Sequence, residues 1–261
     1  LKLMVFTDLD GTLLDHDSYS HAPARPALEA LAALEIPLIL ASSKTAREIA
    51  PLHAELALAP CPIIAENGAQ MVTPGTEAAE DRSAYRKIRA ALERMPAELR
   101  SCFTGFGDMD RQGVIEATGL DPQSAGLAQA RCHSEPGLWS GTEEGFARFA
   151  DLLGQEGISS RRGGRFATLS FGATKADRMR ELIAAHAPDH TIALGDAPND
   201  IEMIETASHG VIVRNTHGPG LPPLDGERAG TVRRTQAPGP QGWNEAVLDI
   251  LEELELHRRA D

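Results

Sequence analysis

Asp8-Leu9-Asp10-Gly11-Thr12 sets two carboxylates one residue apart, directly after the apolar run Leu3 to Thr7. Gly195-Asp196-Ala197-Pro198-Asn199-Asp200 sets two more behind another apolar run. Four acidic groups converging on one crevice repel one another unless some are protonated or a cation lies among them. Oxygen-only donors select a hard cation, and a few carboxylates with phosphate and water completing an octahedron suit Mg²⁺. Such a cation would also give a phosphate group something to bind. Asp8, ionised, can then attack phosphorus as a nucleophile. Asp10, two residues on, can reach the leaving oxygen as general acid and afterwards deprotonate the water that hydrolyses the aspartyl phosphate. Gly11 permits the tight turn between them and Thr12 can hold it by local hydrogen bonding.

The elements that must position these groups read as a parallel sheet covered by helices. Leu3 to Thr7, Pro26 to Leu34, Ile36 to Ala41, Thr45 to Leu56 and Pro62 to Ala65 follow a βαβαβ rhythm. It returns as a helix over Thr174 to Ala187, a strand over Thr191 to Asp196, a helix over Asp200 to Ala207 and a strand over Gly210 to Val213. In such a sheet the carboxyl ends of the strands face the ligand crevice. Ser42, Ser43 and Lys44, then Glu66, Asn67 and Gly68, fall there beside the aspartates, and Lys175 opens a helix on the returning half. The fold class expected is α/β, with a doubly wound, Rossmann-like parallel sheet. Between the halves the pattern turns irregular, with helices over Arg82 to Arg94 and Thr142 to Leu153 and an alternating strand over Arg165 to Phe171. This middle is expected to be an inserted α+β module over residues 77–171, with residues 1–76 and 172–261 forming one core. The Pro- and Gly-rich stretch Arg214 to Gly242 reads as a loop before an edge-packing helix from Asn244 to about Leu256.

Apolar residues at 42% and charged residues at 24% suit a globular protein of one or two domains. Lys plus Arg number 25 against 38 Asp plus Glu, giving a net charge of 25 − 38 = −13. That balance disfavours nucleic acid and anionic membranes as partners, while a small anion can bind if the site supplies local cations such as Lys44 and Lys175. Cys61, Cys102 and Cys132 are odd in number and lack CxxC spacing, so neither a disulfide framework nor a zinc knuckle is indicated, and a reducing cytoplasm is the expected location. The adjacent Cys132 and His133 are taken as structural, and His16 and His53 as solvent-facing. No apolar run has the length of a membrane span, and the opening residues pass straight into the aspartate motif. Walker A, GxGxxG and GxSxG patterns are missing.

DxDGT with a later GDxxND resembles the haloacid dehalogenase superfamily of phosphohydrolases. The resemblance implies Asp8 as nucleophile, Asp10 as acid/base, Ser42 as the hydroxyl that bonds the phosphoryl group and Lys175 as its charge-balancing lysine. It also implies Mg²⁺ held by Asp8, the Asp10 backbone carbonyl and Asp196, with Asp200 in support, and a cap in the position of the middle module. TDLDGTLLDHDSYS, LASSKTAREI, PIIAENGAQM, GRFATL and LGDAPND together look like the mannosyl-3-phosphoglycerate phosphatase family. SSKT stands where broader sugar phosphatases carry TGR. The lysine motif TKAD departs from the common acid-Lys-Gly, and ARCHSEP matches the family loosely. Substrate contacts are then expected from Ser43, Lys44, Glu66, Asn67, Gly68 and Asn199. Arg165 of GGRF is expected to meet a carboxylate or phosphate, a bidentate arginine suiting the glycerate carboxylate. The partner implied is a small phosphate ester such as a phosphorylated glycosyl-glycerate. A broader sugar phosphatase, a phosphomutase using the same aspartyl phosphate, and a phospho-aspartate sensor module are the alternatives.

Overall fold

The computed structural model describes residues 2–75, 81–163 and 165–256. Its strands are β1 (Leu3–Thr7), β2 (Leu38–Leu40), β3 (Ile63–Ala65), β4 (Gln70–Val72), β5 (Phe103–Gly105), β6 (Ser134–Trp139), β7 (Ser159–Gly163), β8 (Phe166–Ser170), β9 (His190–Gly195), β10 (His209–Arg214) and β11 (Val232–Pro238). Five of them form a parallel sheet in the order β11-β10-β9-β1-β2. Residues of β1 alternate between two apolar layers, as the period of two in a strand requires. Leu3 and Val5 pack with Leu31, Ile49, Trp243 and Ile250 on one face. Met4 and Phe6 pack with Ala176, Met179 and Met203 on the other. Burying both faces explains why these strands read as apolar runs rather than as alternating ones. The mixed α/β class and the central parallel sheet are thus as expected.

Register brings the strand ends level. Thr7 lies opposite Leu40 on β2 and opposite Leu194 on β9. The Asp8 amide donates to the Leu194 carbonyl at 2.9 Å and the Ala41 amide to the Thr7 carbonyl at 2.8 Å. Residues that follow β1, β2 and β9 therefore emerge side by side. β3 pairs antiparallel with β4 as a hairpin, bridges to the main sheet at Ala41 and Ile64, and packs Ile63 and Ile64 into its two apolar layers.

Antiparallel strands in the order β5-β6-β8-β7 make a second sheet from the middle of the chain. Helices Ser83–Glu93 and Glu143–Gln155 cover one face through Ile88, Leu92, Phe149 and Leu153, packed on Phe103 and Leu169. The expected boundary at residues 76–77 lies outside the described residues, as does Gly164 of GGRF.

Several expectations need correction. Arg214 to Gly242 is not one loop: it carries a helix, Asp225–Ala229, and β11, an edge strand whose residues alternate in burial. The sequence VRRTQAP hides that strand because only one face is covered, so polar residues occupy the other. The last helix begins earlier, at Gly239, and ends at Glu253, with Pro240 in its first turn where a missing N–H does no harm. It belongs to the main core rather than the edge, through Trp243, Val247, Ile250 and Leu251. His53 is buried beside Cys61, whose Sγ lies 3.8 Å from the imidazole Nε2. The described helices include none long and apolar enough to cross a membrane.

Candidate active site

The chemistry gathers where β1, β2 and β9 end. Thr7 closes β1 with its hydroxyl bonded to the Asp8 carbonyl at 2.7 Å, and it accepts the buried Trp243 Nε1–H at 2.9 Å. Asp8 then leaves the strand buried. At Gly11, φ is +81°, and a Cβ there would stand 2.9 Å from Asp196 Oδ2, so the turn needs glycine for both backbone and space. Thr12 donates to Asp196 Oδ1 at 2.8 Å, joining the first motif to the last.

Lys175 reaches the same point from the other half of the core. Thr174 caps the helix Lys175–His186 in a reciprocal box with Asp177, which fixes Lys175 at the first helical position. A lysine there opposes the helix dipole, and this one is also buried. It is held by Asp8 Oδ1 at 2.6 Å and Asp200 Oδ1 at 2.7 Å. Burial works against its charge, but Asp200 and Asp8 outweigh burial and hold its pKa above the ordinary lysine value. Asp200 Oδ2 accepts the Asp196 and Ala197 amides, so that carboxylate also shapes the loop after β9.

Asp8, Asp196 and Asp200 offer oxygens all within 4.8 Å of one another. Three carboxylates against one ammonium leave two negative charges uncompensated in a buried space. Burial first, then the Asp200 charge, pushes the Asp8 carboxyl well above the usual range, despite the pull of Lys175. The same two causes push Asp196 up to about 6, against hydrogen bonds from Thr12 and Asn215. The donor set is all oxygen and its charge deficit is that of a divalent ion, so these residues fit Mg²⁺. Asp10 Oδ1 adds a buried oxygen with no hydrogen-bond partner among the described residues.

The other expected residues divide. Ser42 is buried behind β2, and its Oγ accepts the Lys44 amide at 3.2 Å. Ser43 and Lys44 line the cavity; Lys44 Nζ pairs with Asp10 Oδ2 at 2.9 Å, and although burial works against its charge, Asp10 with Glu48 and Tyr19 holds its pKa above the ordinary lysine value. Asn67 and Asn199 line it too, joined by a 3.0 Å hydrogen bond from Asn199 Nδ2 to Asn67 Oδ1.

Glu66 and Gly68 are not on that rim. Glu66 is buried, with φ of +49°, and its carboxylate accepts the Cys132 and His133 amides at 3.2 Å each and the Ser134 hydroxyl. It ties the strand entry of the second sheet to the main core. Gly68, at φ +99°, lets the chain touch the Lys175 helix: a Cβ would fall 2.1 Å from the Thr174 carbonyl carbon. Arg165 is exposed, its guanidinium 5.7 Å from the Phe166 ring, and it does not line the cavity.

The cavity, about 630 Å³, lies between the strand ends of the main sheet and the uncovered face of the second sheet. Phe166, Thr168 and Ser170 of β8 face it, while Ala167 and Leu169 point into the packed layer. Sequence reasoning missed Tyr19, Arg131, Arg161 and Arg162, which also line it. Arg161 and Arg162 carried a signal, as adjacent cations beside GGRF; Arg131, within ARCHSEP, had none beyond its charge.

Comparison with known proteins bears on the family and the fold. The family model described as haloacid dehalogenase-like hydrolase matches residues 5–93 and 140–219. A glucosyl-3-phosphoglycerate/mannosyl-3-phosphoglycerate phosphatase from Methanococcoides burtonii is 34% identical over 272 aligned positions, covering 96% of this chain and 98% of the relative. Among solved structures, the sucrose-phosphatase of Synechocystis, determined with sucrose and phosphate, superposes with a TM-score of 0.64 at 16% identity, covering 97% of this chain and 98% of that one. A haloalkanoate-superfamily phosphatase from Bacteroides thetaiotaomicron gives 0.65 at 18% identity, covering 98% and 96%. The two structures share the fold; the family model and the archaeal relative carry the assignment further. The chain belongs to the haloacid dehalogenase-like hydrolases, as a phosphatase of the mannosyl-3-phosphoglycerate phosphatase family.

Proposed function

We propose that the chain is a Mg²⁺-dependent phosphatase that hydrolyses a phosphorylated glycosyl-glycerate through an aspartyl-phosphate intermediate, with residues 1–76 and 172–261 as its core and 77–171 as its cap. The observation that carries the reading is the buried bridge of Lys175 between Asp8 and Asp200, with Asp196 inside the same oxygen cluster. The identity to the archaeal relative, which covers nearly the whole of both chains, supports the substrate class.

Asp8, Asp196 and Asp200, with the Asp10 backbone carbonyl, would hold Mg²⁺, which when bound offsets phosphoryl charge. Lys175 orients the Asp8 carboxylate, and the Asp8 oxygen attacks phosphorus. A bond forms from Asp8 to phosphorus, and the bond from phosphorus to the ester oxygen breaks. Asp10 gives its proton to that oxygen, freeing the alcohol. Lys44 orients its carboxylate through Oδ2, and the absence of a hydrogen-bond partner for Oδ1 among the described residues supports this proton-transfer role. Asp10 then takes a proton from water, the water oxygen attacks phosphorus, and inorganic phosphate leaves with Asp8 regenerated. Ser42, behind Ser43 and Lys44, is the hydroxyl for a phosphoryl oxygen, and Asn67 and Asn199 meet the substrate from one side of the cavity. The second sheet excludes bulk water during transfer.

A phosphate-release screen with Mg²⁺, including mannosyl-3-phosphoglycerate and glucosyl-3-phosphoglycerate, tests this. The expected result is a kcat/KM for one of these well above that for unrelated phosphate esters. Comparable rates across many esters would remove the substrate assignment, and migration of phosphate without release would replace hydrolysis by mutase chemistry.

A further inference from the structure

Five cations line the cavity: Lys44, Arg131, Arg161, Arg162 and Lys175. Four have carboxylate partners within the protein. Lys175 holds Asp8 and Asp200, Lys44 pairs with Asp10, Arg162 with Glu143 at 2.7 Å, and Arg161 lies 4.0 Å from Glu202. Arg131 is different. It is 6% exposed, the most buried of the arginines here, yet among the described residues its side-chain hydrogen bonds go only to backbone carbonyls, and its other neighbour is the Phe106 ring, whose centroid is 5.9 Å from the guanidinium carbon. Its Nε donates to Ala128 at 2.9 Å and its Nη1 to Ser43 at 2.7 Å, and Nη2 has no partner among the described residues.

A guanidinium taken out of water without a counter-charge is costly, and the cost is offset only if an anion completes it. In a chain of net charge −13, acidic side chains are plentiful, yet none is within ion-pairing distance of Arg131 among the described residues. Arg131 lines the cavity, so an anion entering it would complete the guanidinium. The phosphoryl group has its own cation in Lys175 beside Asp8, so the anion at Arg131 is a second one.

We infer that Arg131 is a specificity-determining residue that receives a carboxylate on the leaving alcohol of the substrate, separate from the phosphoryl group. The planar fork of arginine matches a carboxylate, and two of its edges are already fixed, so little freedom is lost on binding. Arg131 follows the helix Pro122–Gln129 of the inserted module, and Ser43 follows β2 of the core. A carboxylate bound there engages a residue that already joins the two halves of the cavity, so recognition of the acid and the closed arrangement reinforce each other. Arg165, which lies outside the cavity, is replaced in this role. The inference rests on the phosphatase reading of the site and deepens it by naming what recognises the glycerate.

The test uses 3-phosphoglycerate and glycerol 3-phosphate, which differ by a carboxylate against a hydroxymethyl group. Kinetics of the full chain with Mg²⁺ are measured for the parent, Arg131→Lys and Arg131→Met. The parent is expected to favour 3-phosphoglycerate in kcat/KM, through KM. Arg131→Met is expected to cut that preference by on the order of 10- to 100-fold, the worth of a charge-assisted hydrogen bond, and Arg131→Lys to restore part of it. No preference in the parent, or equal losses on both esters in Arg131→Met, would reduce Arg131 to a structural brace and overturn the inference. Calorimetric binding of the two esters to Asp8→Asn, with and without Arg131→Met, gives the same comparison independently of turnover. If Arg131→Met fails to fold, the parent's preference and its partial loss in Arg131→Lys decide; if Arg131→Lys fails, the parent against Arg131→Met decides. A parent inert on mannosyl-3-phosphoglycerate that still shows an Arg131-dependent preference for the carboxylate would sink the proposed substrate and leave this inference standing.

Discussion

At the scale of single residues, the site is a set of charges that only their mutual placement makes tolerable. Asp8→Asn removes the proposed nucleophile and is expected to lower kcat by at least about 10⁴-fold, since loss of a covalent catalyst leaves only binding and electrostatic contributions. Single-turnover phosphate release measures it, and retention of more than a few per cent of activity would exclude Asp8 from the covalent step. Lys175→Met keeps the length of the side chain but leaves Asp8 and Asp200 facing each other without their shared cation. Breaking a buried pair by removing one partner costs about 3–5 kcal/mol, so this variant is expected to lose both stability and turnover, read by denaturant titration and assay. Cys61, pushed up to about 11 by burial, is expected to resist iodoacetamide at pH 8 until the protein unfolds, with mass spectrometry of the alkylated chain as readout.

At the scale of elements, the clustered side chains of the candidate site depend on turns and caps that place them. Gly68 sits against the first residue of the Lys175 helix, so Gly68→Ala must either push that helix away or strain a positive-φ backbone. A stability loss of roughly 2 kcal/mol or more is expected, with a kcat drop because Lys175 shifts with its helix. Unchanged melting and activity would show that the helix tolerates the displacement. On the far edge of the sheet, Arg234 holds Glu227 and the Leu221 and Pro222 carbonyls, tying the segment before the helix Asp225–Ala229 to β11. The Arg234 guanidinium first, then the Leu224 amide, lowers the Glu227 pKa from its ordinary 4.5 to about 2. A depressed carboxylate stabilises the fold above its unfolded value and loses that contribution as pH falls through the folded one. Glu227→Gln is therefore expected to melt lower than the parent at pH 7, with the gap narrowing below about pH 4.5. A gap that stays constant down to pH 3 would show that the charge is not what matters.

At the scale of the whole molecule, two sheets enclose one cavity and a few contacts hold them together. Glu66 receives two amides and a hydroxyl from the segment leading into β6, and Arg131 returns the link to Ser43. Mg²⁺ should stabilise this arrangement by relieving the crowding of Asp8, Asp196 and Asp200. Ligand at 100 times its dissociation constant adds about 2.7 kcal/mol, so the melting temperature at pH 7.5 is expected to rise measurably with millimolar Mg²⁺ and to fall back with EDTA. Asp196→Asn should abolish most of that shift, and an undiminished shift in this variant would place the ion elsewhere.

Much of the molecule was legible in the chain itself. The apolar runs of β1, β2 and β9 and the motifs behind them are local signals, because strand period, turn chemistry and helix capping act over a few residues. They fixed the parallel sheet and the side of it on which Asp8, Asp10, Ser42 and Asp196 emerge. The edge strand β11 and the burial of the last helix escaped because polar and Pro-rich composition masks an element covered on one face. Which cations the cavity would leave without a carboxylate partner was likewise hidden. Arg131, Arg162 and Arg165 are alike as residues, and only the packing of one sheet over the other turns the first inward, the second toward Glu143 and the third to the outside. Local sequence could name the chemistry, since it depends on residue type and short spacing. Recognition depends on distances between residues remote in the chain, which tertiary packing alone determines.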